Sequence, residues 1–184
     1  MDALVMCGGR GTRLNADVEK PLYKICGTRM VDCVVAALDE SRVDRVVAVV
    51  SPHTPETARH LDDLPQIRAP GEGYVSDLGY ALERVSKPVL TVAADLPLLT
   101  GDAVDAVLHE YDGDSLTVCV PAALKARLGV SADLTFDHEG GPVAPTGVNV
   151  VAPTDDERMM LTNDHRLAVN VNRPTDAQIA EAWL

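Results

Sequence analysis

Five short apolar runs punctuate the chain: Ala3 to Cys7, Arg45 to Val50, Val89 to Ala93, Leu116 to Val120 and Val148 to Val151. Each is too short for a helix and almost wholly apolar, which predicts strands buried on both faces. Between them the period changes. From Thr28 to Ser41, Val31, Val34, Val35 and Leu38 share one face and Asp32 and Asp39 lie opposite, predicting an amphipathic helix with Thr28 as its N-cap. Leu78, Ala81, Leu82 and Val85 repeat the pattern over Tyr74 to Val85. Further helices are predicted over Asp102 to Tyr111 and from Pro174 onward. This alternation predicts an α/β fold, a mostly parallel sheet with helices on both faces.

Two segments interrupt the alternation. Ala122 to Pro145 holds Gly129, Gly140, Gly141 and two prolines around a candidate short strand, Leu134-Thr135-Phe136. It reads as an excursion from the sheet, suited to shaping an acceptor pocket or to a subunit contact that would make a homodimer. Met159, Met160 and Leu161 stand out in the polar stretch Thr154 to Arg166; a short helix on the sheet edge is preferred to ligand contact. There is no internal repeat, and 184 residues suit a single domain over residues 1–184.

Charge narrows the partners. With 28 acidic and 16 basic residues the net charge is −12, which disfavours nucleic acid and anionic membranes as partners. The acids are mostly Asp, Arg outnumbers Lys, and aromatics are only 3%, a balance resembling proteins of halophilic archaea; an ordinary acidic cytosolic enzyme is the alternative. Cys7, Cys26, Cys33 and Cys119 lack metal-ligand or Cys-x-x-Cys spacing and read as buried small hydrophobes in a reducing compartment. No apolar stretch approaches the roughly 18 residues of a membrane span, so a soluble, cytoplasmic protein is expected. The five histidines share no ligand spacing and read as surface or hydrogen-bonded structural residues, not catalysts.

Against this negative background Arg10, Arg13, Lys20, Lys24 and Arg29 crowd the start of the chain. The stretch Gly8-Gly9-Arg10-Gly11-Thr12-Arg13 directly follows the first apolar run, and Lys20-Pro21 comes shortly after. Glycines let backbone N–H groups approach anionic oxygens, and guanidinium and ammonium groups add charge, so this is a candidate polyphosphate cradle; an ordinary strand-to-helix turn is the alternative. The Walker A spacing is absent. The dinucleotide fingerprint fits only partly, because Leu14 replaces the third small residue and Pro21 interrupts the expected helix.

Three further constellations carry candidate chemistry. Asp95, in Ala94-Asp95-Leu96-Pro97, ends a buried strand, where open α/β sheets bind ligands; it reads as a single-carboxylate Mg²⁺ anchor or as a cap on the turn before Pro97. Asn170 and Asn172 alternate in Val169-Asn170-Val171-Asn172-Arg173-Pro174, so both amides point one way from a strand or, alternatively, serve a turn. Pro70-Gly71-Glu72-Gly73-Tyr74 with Asp77 forms a turn into a helix, where Asp77 either accepts from a base edge or favours the helix dipole. In Thr146-Gly147-Val148-Asn149, Gly147 permits close approach to a ligand; a plain turn accounts for it almost as well.

The pattern Gly-Gly-x-Gly-x-Arg-Leu followed by Glu19-Lys20-Pro21 resembles that of the MobA-like nucleotidyltransferases, which make sugar nucleotides, molybdenum-cofactor dinucleotides and cobinamide-GDP. Within them the opening residues, Pro70-Gly71-x-Gly73-Tyr74-Val75 and Thr146-Gly147-Val148-Asn149 are most similar to the archaeal guanylyltransferases acting on adenosylcobinamide phosphate. The resemblance implies a Rossmann-like three-layer αβα sandwich and transfer of GMP from GTP to adenosylcobinamide phosphate. It implies catalytic roles for Lys20, Arg13 and Asp95, with Asp95 holding Mg²⁺. Nucleotide contacts are implied for Gly8, Gly9, Arg10, Gly11, Thr12, Gly73, Asp77, Gly147, Asn170 and Asn172. A molybdenum-cofactor guanylyltransferase, a sugar-1-phosphate nucleotidyltransferase and a non-catalytic GTP-binding regulatory module are the alternatives.

Overall fold

A computed structural model describes residues 1–184. Its strands are β1 (Asp2–Met6), β2 (Lys24–Ile25), β3 (Thr28–Arg29), β4 (Arg45–Val50), β5 (Gln66–Arg68), β6 (Val89–Ala93), β7 (Ser115–Pro121), β8 (Val143–Val151) and β9 (Glu157–Leu161). The helices are α1 (Met30–Asp39), α2 (Pro55–His60), α3 (Tyr74–Leu82), α4 (Gly101–Glu110), α5 (Ala122–Leu128), α6 (His165–Ala168) and α7 (Pro174–Trp183).

The central strand shows why the apolar runs become strands. Ala3, Val5 and Cys7 face one apolar cluster, and Leu4 and Met6 face another. β4 divides in the same way, with Val46, Ala48 and Val50 on the first face and Val47 and Val49 on the second. Helices α1 and α4 cover the first face through Val31, Val34, Leu38, Val104 and Val107, while α3 covers the second through Ala81. Each such aliphatic side chain contributes about 1.5–3 kcal/mol by leaving water.

Seven strands form one sheet in the order β5-β4-β1-β6-β8-β7-β9. Only β8 runs against the others, pairing antiparallel with both β6 and β7. The C-terminal ends of β4, β1 and β6 therefore open on one side, with β1 paired parallel to both neighbours.

Five expectations need correction. Met159, Met160 and Leu161 belong to a strand, not a helix: β9 pairs parallel with β7, from Ser115↔Glu157 to Cys119↔Leu161. Without it the outer N–H and C=O groups of β7 would lack partners. Thr28 does not cap α1; it pairs with Ile25 in the β2–β3 hairpin, and Arg29 precedes the helix. Cys26 is exposed in that hairpin's turn at φ 48°, not buried. The excursion is shorter than expected, since α5 and the start of β8 claim its two ends. The Leu134–Phe136 strand shrinks to a single bridge, Phe136↔Val143.

Candidate active site

A cleft of about 640 Å³ lies over the C-terminal ends of β1 and β6. Gly8, Gly9, Arg10, Gly11, Thr12 and Arg13 line it together with Lys20, Gly73, Asp77, Asp95 and Asn172. The structure thus gathers segments from opposite ends of the chain around one space. Gly147 and Asn170 stand behind that lining.

Lys20 and Asp95 define its floor. Lys20 Nζ donates to Asp95 Oδ2 at 2.6 Å and to Asn172 Oδ1 at 2.7 Å. Both charged side chains are largely sheltered, with 17% and 14% exposure, which strengthens the pairing relative to a surface bridge. The backbone of Asp95 is pinned as well, because its carbonyl accepts from Val171 N at 2.9 Å. Asn170 Nδ2 donates to Asp95 Oδ1 at 3.3 Å and to the Thr146 carbonyl at 2.7 Å. The expected strand at residues 169–172 is absent. Asn170 instead approaches Asp95 from the buried side while Asn172 stays in the cleft wall and accepts from Lys20, so the two amides serve different members of the pair.

The glycine loop brings Lys20 close. Gly11 has φ 61°, and a Cβ there would lie 2.5 Å from Lys20 Cβ, so only glycine lets the loop fold back over the lysine. Glu19 holds that lysine's segment to α2: its carboxylate accepts from Glu56 N at 2.8 Å and from Thr57 N and Thr57 Oγ1, each at 2.6 Å. Arg10 Nε donates to His53 Nε2 at 3.2 Å. Arg13 pairs with Asp133 at 2.5 Å, and Arg173 meets the other oxygen of that carboxylate at the same separation. Asp133 belongs to the segment after α5, so the excursion touches the cationic loop directly.

Asp77 turns its own loop, its Oδ1 accepting from Gly71 N at 2.8 Å and Glu72 N at 3.3 Å. Its other oxygen is directed toward Gly8, 3.1 Å from where a Cβ there would stand. Gly147 lets β8 pass β6: at φ 83°, its Cβ would come within 2.8 Å of Ala93 Cβ. Gly147 lies within β8, where the β7–β8 register shifts, so neither a turn into the strand nor direct ligand contact describes it; close passage of two strands does. Asn149 points into the β6–β8 ladder, where Nδ2 donates to Thr91 Oγ1 at 3.4 Å.

Sequence reasoning missed three neighbours of this site. His53 lines the cleft, its Nε2 lying 3.0 Å from the Gly71 carbonyl, to which it donates when protonated there, or accepting from Arg10 in the other tautomer. Tyr74 also lines it, and although the residue as a whole is half exposed, desolvation of its phenol and the Asp95 charge push that group above the ordinary range. The Glu19 clasp on α2 was hidden because it joins segments far apart in sequence. Cys7 borders the cleft as well, but complete burial pushes its thiol up to about 12 and makes it a poor nucleophile.

The donor set suits a cation shared with a bound polyphosphate. No group of three His, Cys, Asp or Glu side chains converges in the chain to make a protein-only cage. Mg²⁺ needs no such cage, because one or two carboxylates suffice when phosphate oxygens and waters complete the octahedron. Asp95, a single carboxylate facing a cationic cleft, fits that requirement.

A glycine-rich cationic loop over the sheet's open end, facing a lysine–aspartate pair, defines a nucleotidyltransferase, and the chain belongs to the MobA-like NTP transferase domain family, whose pattern matches residues 3–159. Among its relatives is the adenosylcobinamide-phosphate guanylyltransferase of Methanocaldococcus jannaschii, 31% identical over 100% of this chain and 97% of that protein. The bifunctional protein GlmU of Streptomyces coelicolor is 31% identical over 62% of the chain, which covers only 26% of that larger protein. Two solved structures share the fold. A transferase from Thermus thermophilus superposes with TM-score 0.72 at 19% identity, covering 96% of this chain and 98% of its own. A nucleotidyl transferase from Methanothermobacter superposes with TM-score 0.68 at 18% identity, covering 96% and 94%.

Proposed function

We propose that the protein transfers GMP from GTP to adenosylcobinamide phosphate, releasing pyrophosphate and giving adenosylcobinamide-GDP, a step of cobalamin assembly. The observation that carries this reading is the end-to-end likeness to the Methanocaldococcus enzyme. The chain covers only 26% of the bifunctional protein GlmU of Streptomyces coelicolor and 32% of that of Caulobacter vibrioides, against 97% of the Methanocaldococcus enzyme.

An oxygen of the acceptor's phosphate forms the new bond to the α-phosphorus, and the bond from that phosphorus to the α–β bridging oxygen breaks. The attacking oxygen is already ionised at neutral pH, so no side chain needs to remove a proton. The barrier is the meeting of two anions, and positioning with charge neutralisation lowers it. Gly8 to Arg13 supply N–H groups and guanidinium charge for the β- and γ-phosphates. Lys20, released from part of its grip on Asp95, neutralises the α-phosphate and the bridging oxygen. Asp95, supported by Asn170, would hold Mg²⁺, which supplies further neutralisation of phosphate charge when bound. Gly73 and Asp77 border the space for the base and ribose, where the free Asp77 oxygen is an acceptor suited to the N–H donors of guanine.

Purified protein given Mg²⁺, adenosylcobinamide phosphate and GTP should release pyrophosphate, with ATP and CTP far slower. Release only with a sugar 1-phosphate or with molybdopterin, or with no acceptor at all, overturns the assignment. Lys20→Ala should lower turnover by about 10²-fold or more with an unchanged circular dichroism spectrum.

A further inference from the structure

Lys125 is an unusual residue in this fold. It sits on α5 with 3% exposure, and no carboxylate lies within ion-pairing distance of its ammonium. Its hydrogen bonds go to neutral oxygens: Nζ donates to the Ala168 carbonyl at 2.7 Å and to Asn170 Oδ1 at 2.9 Å. A buried cation with such partners is costly, and an apolar side chain of similar length would fill the space at lower cost.

The Asn170 contact accounts for its presence. An ammonium has donors and no acceptor, so it admits only the oxygen end of the amide. The nitrogen end is thereby turned to the opposite side, where it meets the Thr146 carbonyl at 2.7 Å and Asp95 Oδ1 at 3.3 Å. Lys20 grips the other carboxylate oxygen at 2.6 Å. The Asp95 carboxylate is thus held at both oxygens, directly by one lysine and through an amide by another. A flipped Asn170 would set oxygen against oxygen and turn the carboxylate away.

We propose that Lys125 is a positioning residue for nucleotidyl transfer, its buried ammonium fixing the Asn170 amide so that the Asp95 carboxylate faces the cleft ready for a divalent cation. This rests on the reading of Asp95 as the metal anchor. Side chains that orient a metal ligand are typically worth 10- to 100-fold in metal affinity or activity.

The test is a double-mutant cycle of Lys125→Met, Asn170→Ala and the pair, read in three ways: Mg²⁺ concentration for half-maximal pyrophosphate release, Mn²⁺ binding to the protein with GTP by electron paramagnetic resonance, and melting temperature. Each single variant should raise the half-saturating Mg²⁺ and weaken Mn²⁺ binding by about 10-fold or more, with KM for the acceptor changed less than about 2-fold. The double variant should be no worse than the poorer single. Lys125→Arg keeps a donor-only cation and should restore metal dependence toward wild type, which preserves the test if Lys125→Met melts too low to assay. Additive effects, or a change in melting temperature with metal dependence intact, overturn the proposal. If the wild type binds Mn²⁺ with GTP yet transfers nothing to adenosylcobinamide phosphate, the acceptor assignment fails while the Mn²⁺ arm still decides the role of Lys125.

Discussion

At the scale of single residues, the site depends on a missing methyl group. Gly11 sits over Lys20 with positive φ, and the 2.5 Å that a Cβ would leave to Lys20 Cβ is far inside van der Waals contact. Gly11→Ala should therefore push the lysine off Asp95 as well as strain the backbone. Turnover should fall about 10²-fold, close to the loss in Lys20→Ala, while the melting temperature drops by only a few degrees. Paired measurements of pyrophosphate release and thermal unfolding check this, and unchanged turnover would separate the loop's shape from the lysine's position. The glycines, Lys20 and Asp95 were legible in the sequence because each lies in a local pattern beside a strand end. The contacts of His53 and Glu19 were not, since their partners arrive from other segments; Tyr74 and Glu19 stood in readable motifs, but the motifs gave neither a place in the site.

Between residue and whole, short elements carry the connections that sequence reading found hardest. The long apolar runs and the helices at Tyr74, Gly101 and Pro174 were readable from periodicity. In contrast, α2 has six residues and β5 has three, too few for a period to register. β9 lies at the sheet's rim with Leu161 half exposed, so the alternation of a half-buried strand was blurred. α2 matters because Glu19 closes its first turn: Glu19→Ala removes three accepted bonds and should cost about 1 kcal/mol, seen as a lower melting temperature together with a raised KM for nucleotide. α6 is fixed by charge. Arg166 bonds Thr100 Oγ1 at 2.7 Å and both oxygens of Asp102 and of Asp164, clamping α6 to the start of α4. Burial would push the Asp164 carboxyl up, but hydrogen bonds from Arg166 override it and hold the group below the usual range. A carboxyl depressed in the folded state stabilises above the unfolded value, about 4, and loses that stabilisation as pH falls through the folded value. Asp164→Asn should therefore lower the melting temperature at neutral pH and flatten its decline in acid.

For the molecule as a whole, the net charge of −12 and the cationic cleft pull in opposite directions as salt changes. Raising KCl from about 0.1 to about 1 M shortens the screening length from roughly 10 to roughly 3 Å. Self-repulsion of the acidic surface weakens, so the melting temperature should rise; attraction of the triphosphate to Arg10, Arg13 and Lys20 also weakens, so KM for nucleotide should increase. A thermal scan and a kinetic series over the same salts test both signs at once.

The junction of Lys20 with Asp95 and Asn172 joins groups 75 and 152 positions apart along the chain. During synthesis the glycine loop emerges first, yet its lysine waits 75 positions for Asp95 and 152 for Asn172. A copy interrupted before Asn172 therefore holds its phosphate loop but lacks a complete centre, so truncation disarms the protein instead of leaving a partly working fragment.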